Sequence, residues 1–261
     1  MDSFIKLSNF TKVVPYLSMF RDGLMVTILM SIFTVLIGFV LALILAMMRM
    51  SSVCPFRFLG TDKDGHLRDG GFLLALSRFN PLSFLATAYV ELLRSTPVIV
   101  QIFIIYYGVF GMVELPKVTL LGFIKFDRFF PGVVALGMNS GAYLCEIIRS
   151  GLQSVDGGQT EASRSLGLSS AQTMRFIILP QAIKNILPAI ANEFVVIIKE
   201  SAITYTIGVQ DIMSAVNAVK GATFIIMEPL LVATAIYFCL CFPTSKIIAY
   251  FERRMSRGSK R

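Results

Sequence analysis

The chain has 261 residues, of which 55% are apolar, and a mean hydropathy of +0.73, values that exclude an ordinary soluble domain. Its formal net charge is +8. Because the basic residues are spread over loops and the C-terminal tail without interleaved aromatic residues, anionic membrane lipid explains them better than nucleic acid. The composition predicts an integral, all-α membrane protein.

The first 23 residues are predicted to form an interfacial segment in front of the membrane domain. Their apolar residues recur near helical spacing, at Phe4, Leu7, Val13, Val14, Leu17 and Phe20. The apolar run that follows is too long for the core of a secretion signal, and no small-residue cleavage site ends it. The segment is therefore not interpreted as a cleaved signal peptide.

About five stretches are predicted to cross the membrane: 24–48, 85–112, 130–150, 183–208 and 229–250. The first is an uncharged run that is long enough to cross ~30 Å of hydrocarbon. The second combines an amphipathic stretch with a short apolar run after Pro97, a residue that suits the first turn of a helix. Arg94 precedes that proline and is either an anchor at the membrane surface or a group that acts in gating or substrate passage.

The third span contains a face of small residues, from Gly137 to Gly141, that allows another helix to come close. Asn139 lies in this face and needs a hydrogen-bond partner in hydrocarbon, so the face should be buried in protein. Near the inner end of the span, Glu146 and Arg149 are three residues apart and are predicted to pair.

The fourth span is too polar to face lipid all round, and we place it in the middle of the assembly, lining a wet path. The candidate residues of a substrate pathway are Asn139, Asn192, Glu193, Lys199 and Glu200. A carboxylate and an ammonium group could meet the two charged ends of a zwitterion, or they could pair with each other and stabilise the fold. The fifth span begins at Pro229, is expected to kink near Pro243, and leads to a basic tail at 251–261.

The remaining segments are predicted to be connections. Residues 51–81 form a long charged loop without an assigned role, and 113–129 and 211–227 form two further connections. With five spans, 15 of the 24 lysines and arginines fall on one side of the membrane and 7 on the other. The positive-inside rule then places the N-terminus outside and the C-terminus in the cytoplasm.

Cysteine and histidine give no sign of a metal site. Cys54, Cys145, Cys239 and Cys241 lack metal-ligand spacing and are interpreted as small apolar residues in the packing. His66 lies in the charged loop and cannot form a metal site by itself.

The polar stretch from Gly157 to Pro180 is predicted to form two short helices on the cytoplasmic side. Thr160 can cap a helix that starts at Glu161, and Gly167 occupies the position where a left-handed residue ends it. A capping box formed by Ser169 and Gln172 starts the second helix, which is expected to end or kink at Pro180. Helices this short need a docking partner or a membrane surface.

This stretch resembles the signature of the transmembrane subunits of ATP-binding-cassette importers. The matching residues are Glu161, Ala162, Ser163, Gly167, Ile177, Leu179 and Pro180, with Ser163 in place of an alanine. Three further stretches resemble the polar amino-acid uptake branch: Tyr89 to Pro97 with Gln101, Ala142 to Gly151, and Gln153 to Val155 followed by Gly158 and Gln159. From these we mark Glu91, Arg94, Thr96, Pro97, Gln101, Glu146 and Arg149 as family-motif or gating residues.

The resemblance implies a multi-pass permease of a prokaryotic plasma membrane, with a type-1 transmembrane domain over 24–250 and a coupling loop at 157–180. It further implies an ATPase subunit that the loop contacts, an extracytoplasmic amino-acid-binding protein, and a second copy or a homologue of the permease. ATP and Mg would be bound by the ATPase, because the chain has no G-x-x-x-x-G-K-[ST] loop and no cofactor or enzyme motif of its own. Glu161 could contact the ATPase or only cap its own helix. The rival function is an ion channel or secondary transporter that is not driven by ATP.

Overall fold

The computed structural model describes residues 6–51, 53–56 and 72–257, and this part of the chain is almost entirely helical. The α-helices are α1 Leu7–Val13, α2 Leu17–Met50, α3 Phe72–Ser77, α4 Pro81–Ser95, α5 Val98–Phe103, α6 Phe126–Gln153, α7 Gly157–Ser165, α8 Ser170–Thr173, α9 Leu179–Glu200, α10 Ile212–Thr223 and α11 Met227–Arg257. Shorter 3-10 turns cover Val14–Tyr16, Phe110–Met112 and Ser201–Ile207, and π-helical turns cover Ile104–Val109 and Met174–Ile178. Two strands, β1 Thr119–Leu120 and β2 Ile124–Lys125, pair antiparallel.

Two helices of the described residues are long and apolar enough to cross a membrane, namely Ser8–Met50 and Met227–Arg254. A third span is possible if α4 and the helical segment Val98–Met112 cross together. The helices α6 and α9 coincide with the predicted third and fourth spans. They are more polar than the two helices that are apolar enough to cross a membrane. A mostly helical structure with apolar helices is therefore confirmed, while the count of five spans and their sidedness stay predictions.

The predicted second span is not one continuous helix. Helix α4 ends at Ser95, and the segment that starts at Val98 is bent away from it by 111°. Thr96 and Pro97 between them are extended, with ψ angles of 147° and 135°. A residue before proline is pushed toward extended conformations, and proline has no N–H to continue the helix. The break follows from that pair of residues.

The N-terminal segment packs against other helices of the chain on one side and has exposed apolar residues on the other. Val13 and Phe20 are buried against α10 and α11, whereas Val14 and Leu17 are exposed. A carboxylate oxygen of Glu228, in the first turn of α11, accepts hydrogen bonds from the backbone of Lys6 (3.1 Å) and from the side chain of Asn9 (3.0 Å). The helical spacing predicted for this segment is found, and its buried side faces the first turns of α11.

Three predicted connections contain regular structure. The loop predicted at 51–81 includes α3, although its charged middle, with His66, lies outside the described residues. The loop at 113–129 contains the β1–β2 hairpin and the first residues of α6. The segment predicted as a weakly apolar connection at 211–227 contains α10, whose first turn is capped by Asp211 through a 2.8 Å hydrogen bond from the Ser214 backbone. Helix α11 runs through Pro243 without a break.

Helices α2 and α6 pack closely through small residues, as the sequence predicted. A Cβ atom at Gly137 would lie 2.9 Å from Ile37, and one at Gly141 would lie 2.9 Å from Leu41. Gly38 on α2 meets Ser140 in the same way. Since a side chain at any of these glycines would require a neighbouring side chain to move, α2 and α6 are in close contact at this level.

Asp211, in the connection between the predicted fourth and fifth spans, is a buried carboxyl group whose protonation is expected to affect stability. It is fully buried, its Oδ2 atom has no partner, and burial raises its pKa to about 7. Because the folded state holds the proton more tightly than the unfolded state, stability should fall as pH rises from about 4 to about 7 and then level off. We expect the apparent Tm in detergent to drop across this window.

Asp211→Asn is the matched variant for this prediction, since its side-chain oxygen can still cap α10. The difference in Tm between variant and parent should grow in favour of the variant up to pH 7. A difference that does not change with pH would show that Asp211 does not titrate in the folded protein.

Candidate functional site

Helix α7, the first helix of the polar hairpin, begins one turn earlier than predicted. The side chain of Asp156 accepts a 2.7 Å hydrogen bond from the Gly158 backbone and caps the helix. Thr160 lies inside α7, so the prediction that Thr160 caps a helix starting at Glu161 is wrong. Asp156 is a stronger cap and stands directly before two glycines, which give the chain room to enter the helix.

Gly167 ends α7 in the left-handed conformation, as predicted, with φ of +85°. Its N–H donates to the carbonyl of Arg164 (3.0 Å), and the N–H of Leu168 donates to the carbonyl of Ser163 (3.1 Å). This pair of hydrogen bonds is the Schellman arrangement, which satisfies carbonyls at the end of a helix. A residue with a Cβ atom would be strained at this position.

The capping box predicted for the second helix is confirmed. Gln172 Oε1 accepts from the Ser169 backbone at 2.8 Å, and Ser169 Oγ accepts from the Gln172 backbone at 3.3 Å. The kink predicted at Pro180 stays a prediction, and the α-helix itself ends earlier, at Thr173. Helix α8 passes through the π-helical turn Met174–Ile178 directly into α9, where Pro180 lies in the first turn and its missing N–H costs little. The hairpin and α9 therefore form one helical path.

A buried hydrogen bond joins the two helices of the hairpin. Ser163 Oγ and Thr173 Oγ1 are 3.0 Å apart, and both residues are buried. Ser163 is the residue that replaces an alanine of the resembling family. Its hydroxyl adds a polar contact between α7 and α8 that a methyl group cannot make.

The outer surface of the hairpin combines one carboxylate with large apolar side chains. Glu161, Ala162, Gly167, Leu179 and Pro180 are exposed, and Ile177 is half-buried. Leu166 is 82% exposed and Phe176 is 61% exposed. Asp156, and not Glu161, caps α7, so the Glu161 carboxylate is left for other contacts. Exposed apolar residues around a carboxylate suit a protein interface.

Ion pairs and hydrogen bonds stabilise the membrane end of the hairpin. Glu146 on α6 accepts from Arg149, as predicted, and also from Arg49 on α2 at 2.9 Å. Asn185 on α9 donates to Ser154 Oγ at 2.8 Å. Helices α2, α6 and α9 are thus connected where the hairpin begins and ends.

Arg94 lies beside this region, with its guanidinium carbon 5.6 Å from the centre of the Tyr143 ring. Arg94 is exposed, as is Glu91 one turn before it on α4. An open cavity of about 350 Å³ lies here, and it is lined by Arg94, Tyr143, Glu146, Ile147, Ser150, Gly151, Ser154, Asn185 and Ala189. The structure places Arg94 at the hairpin end of the helices.

The remaining motif residues meet at the corner between α4 and α5. Gln101 is 7% exposed, and its amide contacts the backbone of Leu93 and both oxygens of Thr96. Asn139 on α6 is 4% exposed and donates to Gln101 Oε1 at 2.9 Å. The sequence predicted that Asn139 needs a hydrogen-bond partner, and in the structure that partner is Gln101.

The family described as "Binding-protein-dependent transport system inner membrane component" matches residues 70–257. This range includes the corner, the Glu146–Arg149 pair and the whole hairpin. The chain belongs to this family of importer permeases.

Curated and solved relatives of the permease agree with that assignment. The arginine transport system permease protein ArtQ of Bacillus subtilis (strain 168) is 34% identical over 95% of this chain and 97% of that protein. A putative glutamine transport system permease protein, GlnP of Rickettsia typhi (strain ATCC VR-144 / Wilmington), is 32% identical over 95% of this chain and 98% of that protein. A crystal structure of an amino acid ABC transporter with histidines is 38% identical, has a TM-score of 0.77, and matches 94% of this chain and 98% of that chain.

The polar residues of α9 in the permease lie partly on its exposed face and partly in half-buried positions. Asn192 and Lys199 are exposed and lie seven residues apart on one face, while Glu193 and Glu200 are half-buried. Within the described ranges, no ion pair joins Lys199 to either carboxylate. Contact of these groups with substrate and pairing between them therefore both stay predictions.

The cysteines and acidic groups of the permease form no metal site in the part of the chain that the structure describes. Cys145 is fully buried, in agreement with an apolar packing role, whereas Cys239 is exposed.

Sequence reasoning missed Asp156, Thr173 and Arg49. An Asp before two glycines is a recognisable helix start, and a lone arginine at the end of an apolar span calls for a partner. Thr173 carries no comparable signal.

Proposed function

We propose that this chain is the membrane-spanning permease subunit of an ATP-binding-cassette importer that moves amino acids into the cytoplasm. Family membership supports an importer over the rival ion channel or secondary transporter. The amino-acid substrate is supported by relatives whose names specify arginine and glutamine, and by the amino acid transporter of known structure.

The hairpin formed by α7 and α8 carries this proposal. It is closed by the Gly167 turn and the Ser163–Thr173 hydrogen bond, so it can move as one body. It joins α6 through only a few residues and is continuous with α9. A partner that pushes on the hairpin therefore moves two membrane helices at once. This is what an ATPase needs in order to switch the permease between outward-open and inward-open states.

Nucleotide chemistry belongs to that partner in our proposal. ATP and Mg are bound and hydrolysed by a separate ATPase, which contacts Glu161, Leu166 and Phe176. With five spans, the hairpin and the C-terminus lie in the cytoplasm, and the connection that contains α10 lies outside.

A second permease copy or a homologue completes the pathway. Asn192 and Lys199 are exposed on α9, and an ionisable group in contact with lipid costs several kcal/mol (~2.5–3.5 on insertion scales). Packing two copies with their α9 helices face to face removes this cost and creates a polar path between them. An extracytoplasmic binding protein delivers the amino acid to the outer end of this path.

The substrate meets α9 in this arrangement. Lys199 suits the carboxylate of a zwitterionic amino acid, and Glu193 or Glu200 suits its ammonium group. Asn139 is buried against Gln101, so we assign it to the fold and not to substrate contact.

Co-expression with and without the neighbouring ATPase tests the proposal. The two chains should co-purify from detergent, and proteoliposomes that hold both should take up radiolabelled arginine or glutamine only with ATP and the binding protein. Uptake by the purified permease alone, at the same rate without ATP, would contradict it and favour a passive carrier.

Removing charge from α9 tests the pathway. We expect Glu193→Gln and Lys199→Met each to reduce uptake at least tenfold, because each removes one charge that would bind an end of the zwitterionic amino acid. The ATPase should still co-purify with both variants. Lys220→Met, a change at an exposed lysine of α10, is the control and should leave uptake unchanged. Normal uptake in both α9 variants would remove these residues from the path.

A further inference from the structure

The corner between α4 and α5 leaves backbone carbonyls without helical partners. The last four carbonyls of any helix lack such partners, and here the chain turns by 111° instead of continuing. Pro97 cannot donate to them because it has no N–H. Inside a membrane these groups need a donor from the protein.

Gln101 supplies that donor from the first turn of α5. Its Nε2 atom lies 2.8 Å from the Leu93 carbonyl, 3.1 Å from the Thr96 carbonyl and 2.8 Å from Thr96 Oγ1. Thr96 Oγ1 in turn donates to the Leu92 carbonyl at 2.9 Å. A single buried amide therefore joins the end of α4 to the start of α5.

Asn139 connects this corner to α6. Its Nδ2 atom donates to Gln101 Oε1 at 2.9 Å and lies 3.4 Å from the Leu93 carbonyl. Leu93, Gln101 and Asn139 belong to three different helices, so the two amides join α4, α5 and α6 at one point. Both amides are shielded from water, which strengthens their hydrogen bonds and makes an unpaired amide costly.

Helix α6 runs without interruption from Asn139 to Gln153, next to the hairpin. At 1.5 Å per residue, the distance along the helix axis is about 20 Å. Gly137 and Gly141 flank Asn139 and pack on α2, so α6 is held as a rigid element at this level. A movement of the hairpin that tilts or shifts α6 must therefore also move Asn139.

We propose that Gln101 and Asn139 form the joint through which α6 sets the angle between α4 and α5 as the hairpin moves. Both are positioning residues, and neither needs to contact the substrate. The inference rests on the proposed function, since it assumes that a partner drives the hairpin.

A residue that only stabilises the corner would affect folding, whereas a joint also affects coupling. The discriminating quantity is the number of ATP molecules hydrolysed per amino acid transported, measured in proteoliposomes with the ATPase and the binding protein. Gln101→Met and Asn139→Leu remove one amide each at similar volume. We expect each to raise this ratio at least tenfold while the ATPase still co-purifies.

The double variant gives a second readout. If the two amides act through one hydrogen bond, then Gln101→Met with Asn139→Leu should be no worse than the more severe of the two single variants. Ser31→Ala is the control, because it removes a buried hydroxyl on α2 that bonds only within its own helix. The proposal would be contradicted if the number of ATP molecules hydrolysed per amino acid were unchanged in both single variants. It would also be contradicted if the increase in the double variant equalled the product of the increases in the two single variants.

An exchange of the two side chains keeps the test decisive if a single variant folds poorly. Gln101→Asn together with Asn139→Gln preserves two amides and their combined length across the gap. The exchanged pair should couple better than either of its single changes, and equal or worse coupling would overturn the joint. If instead the unmodified permease shows no ATP-driven uptake, the proposed function itself has failed.

Discussion

Leu166→Asp and Phe176→Asp are each expected to abolish co-purification with the ATPase. Both side chains are large and apolar, and at 82% and 61% exposed they are the most exposed large apolar side chains described on the hairpin. Burying such a side chain in an interface contributes ~1.5–3 kcal/mol, and a carboxylate in its place adds a desolvation cost. The combined loss of at least ~3 kcal/mol corresponds to more than 100-fold in affinity.

The measurement is the amount of ATPase that co-purifies with the affinity-tagged permease. Variants are compared only if their Tm equals that of the parent, which shows that they are folded. Phe224→Asp is the matched control, because Phe224 is an apolar residue that is 89% exposed but lies beyond α10, on the predicted outer side. It should retain the ATPase in full. Loss of the ATPase from the Phe224 variant, or normal binding in both hairpin variants, would mean that the hairpin is not the docking surface.

Gly23→Ala is expected to destabilise the permease by ~1–3 kcal/mol, the usual cost of overpacking, or more. A Cβ atom at Gly23 would lie 2.6 Å from the carbonyl oxygen of Asp211, 2.7 Å from its carbonyl carbon and 2.8 Å from the nitrogen of Ile212. All three are backbone atoms at the start of α10, so no side chain can rotate away. The start of α10 would have to separate from α2.

Gly221→Ala provides the comparison, since Gly221 lies inside α10 and a Cβ atom there meets nothing within 4 Å. Alanine in a helix is favoured over glycine by roughly 0.5–1 kcal/mol, so this variant should be as stable as the parent or slightly more so. The Tm of each variant is measured in detergent by heating samples and using size-exclusion chromatography to quantify the protein that remains folded. Equal Tm values for the two variants would show that α2 and α10 do not pack as the structure places them.

Features that depend on a few neighbouring residues could be predicted from the sequence. The left-handed Gly167 and the capping box of Ser169 and Gln172 follow from local rules, and both are found. The Glu146–Arg149 pair follows from helical spacing. The start of α7 was misplaced because Asp156 and Thr160 both satisfy the rule for a cap, and only the folded chain shows that the earlier one is used.

Features that depend on distant residues could not be predicted. Arg49 and Glu146 are 97 residues apart, and Gln101 and Asn139 are 38 apart, so no periodicity connects them. The sequence did indicate that Asn139 needs a partner, but not which one. Helix α10 was missed because its weakly apolar sequence resembles a connection, although four of its residues are buried by α2 and α11.

Labelling of Ser170→Cys tests the central claim, that the hairpin reaches a cytoplasmic ATPase. The variant is made in a chain whose own cysteines, at positions 54, 145, 239 and 241, are replaced, and it is treated with a membrane-impermeant maleimide. Ser170 is exposed, so it should react in inside-out vesicles and not in intact cells, while Phe224→Cys should show the reverse. Reaction of the Ser170 variant in intact cells would place the hairpin outside and contradict the account.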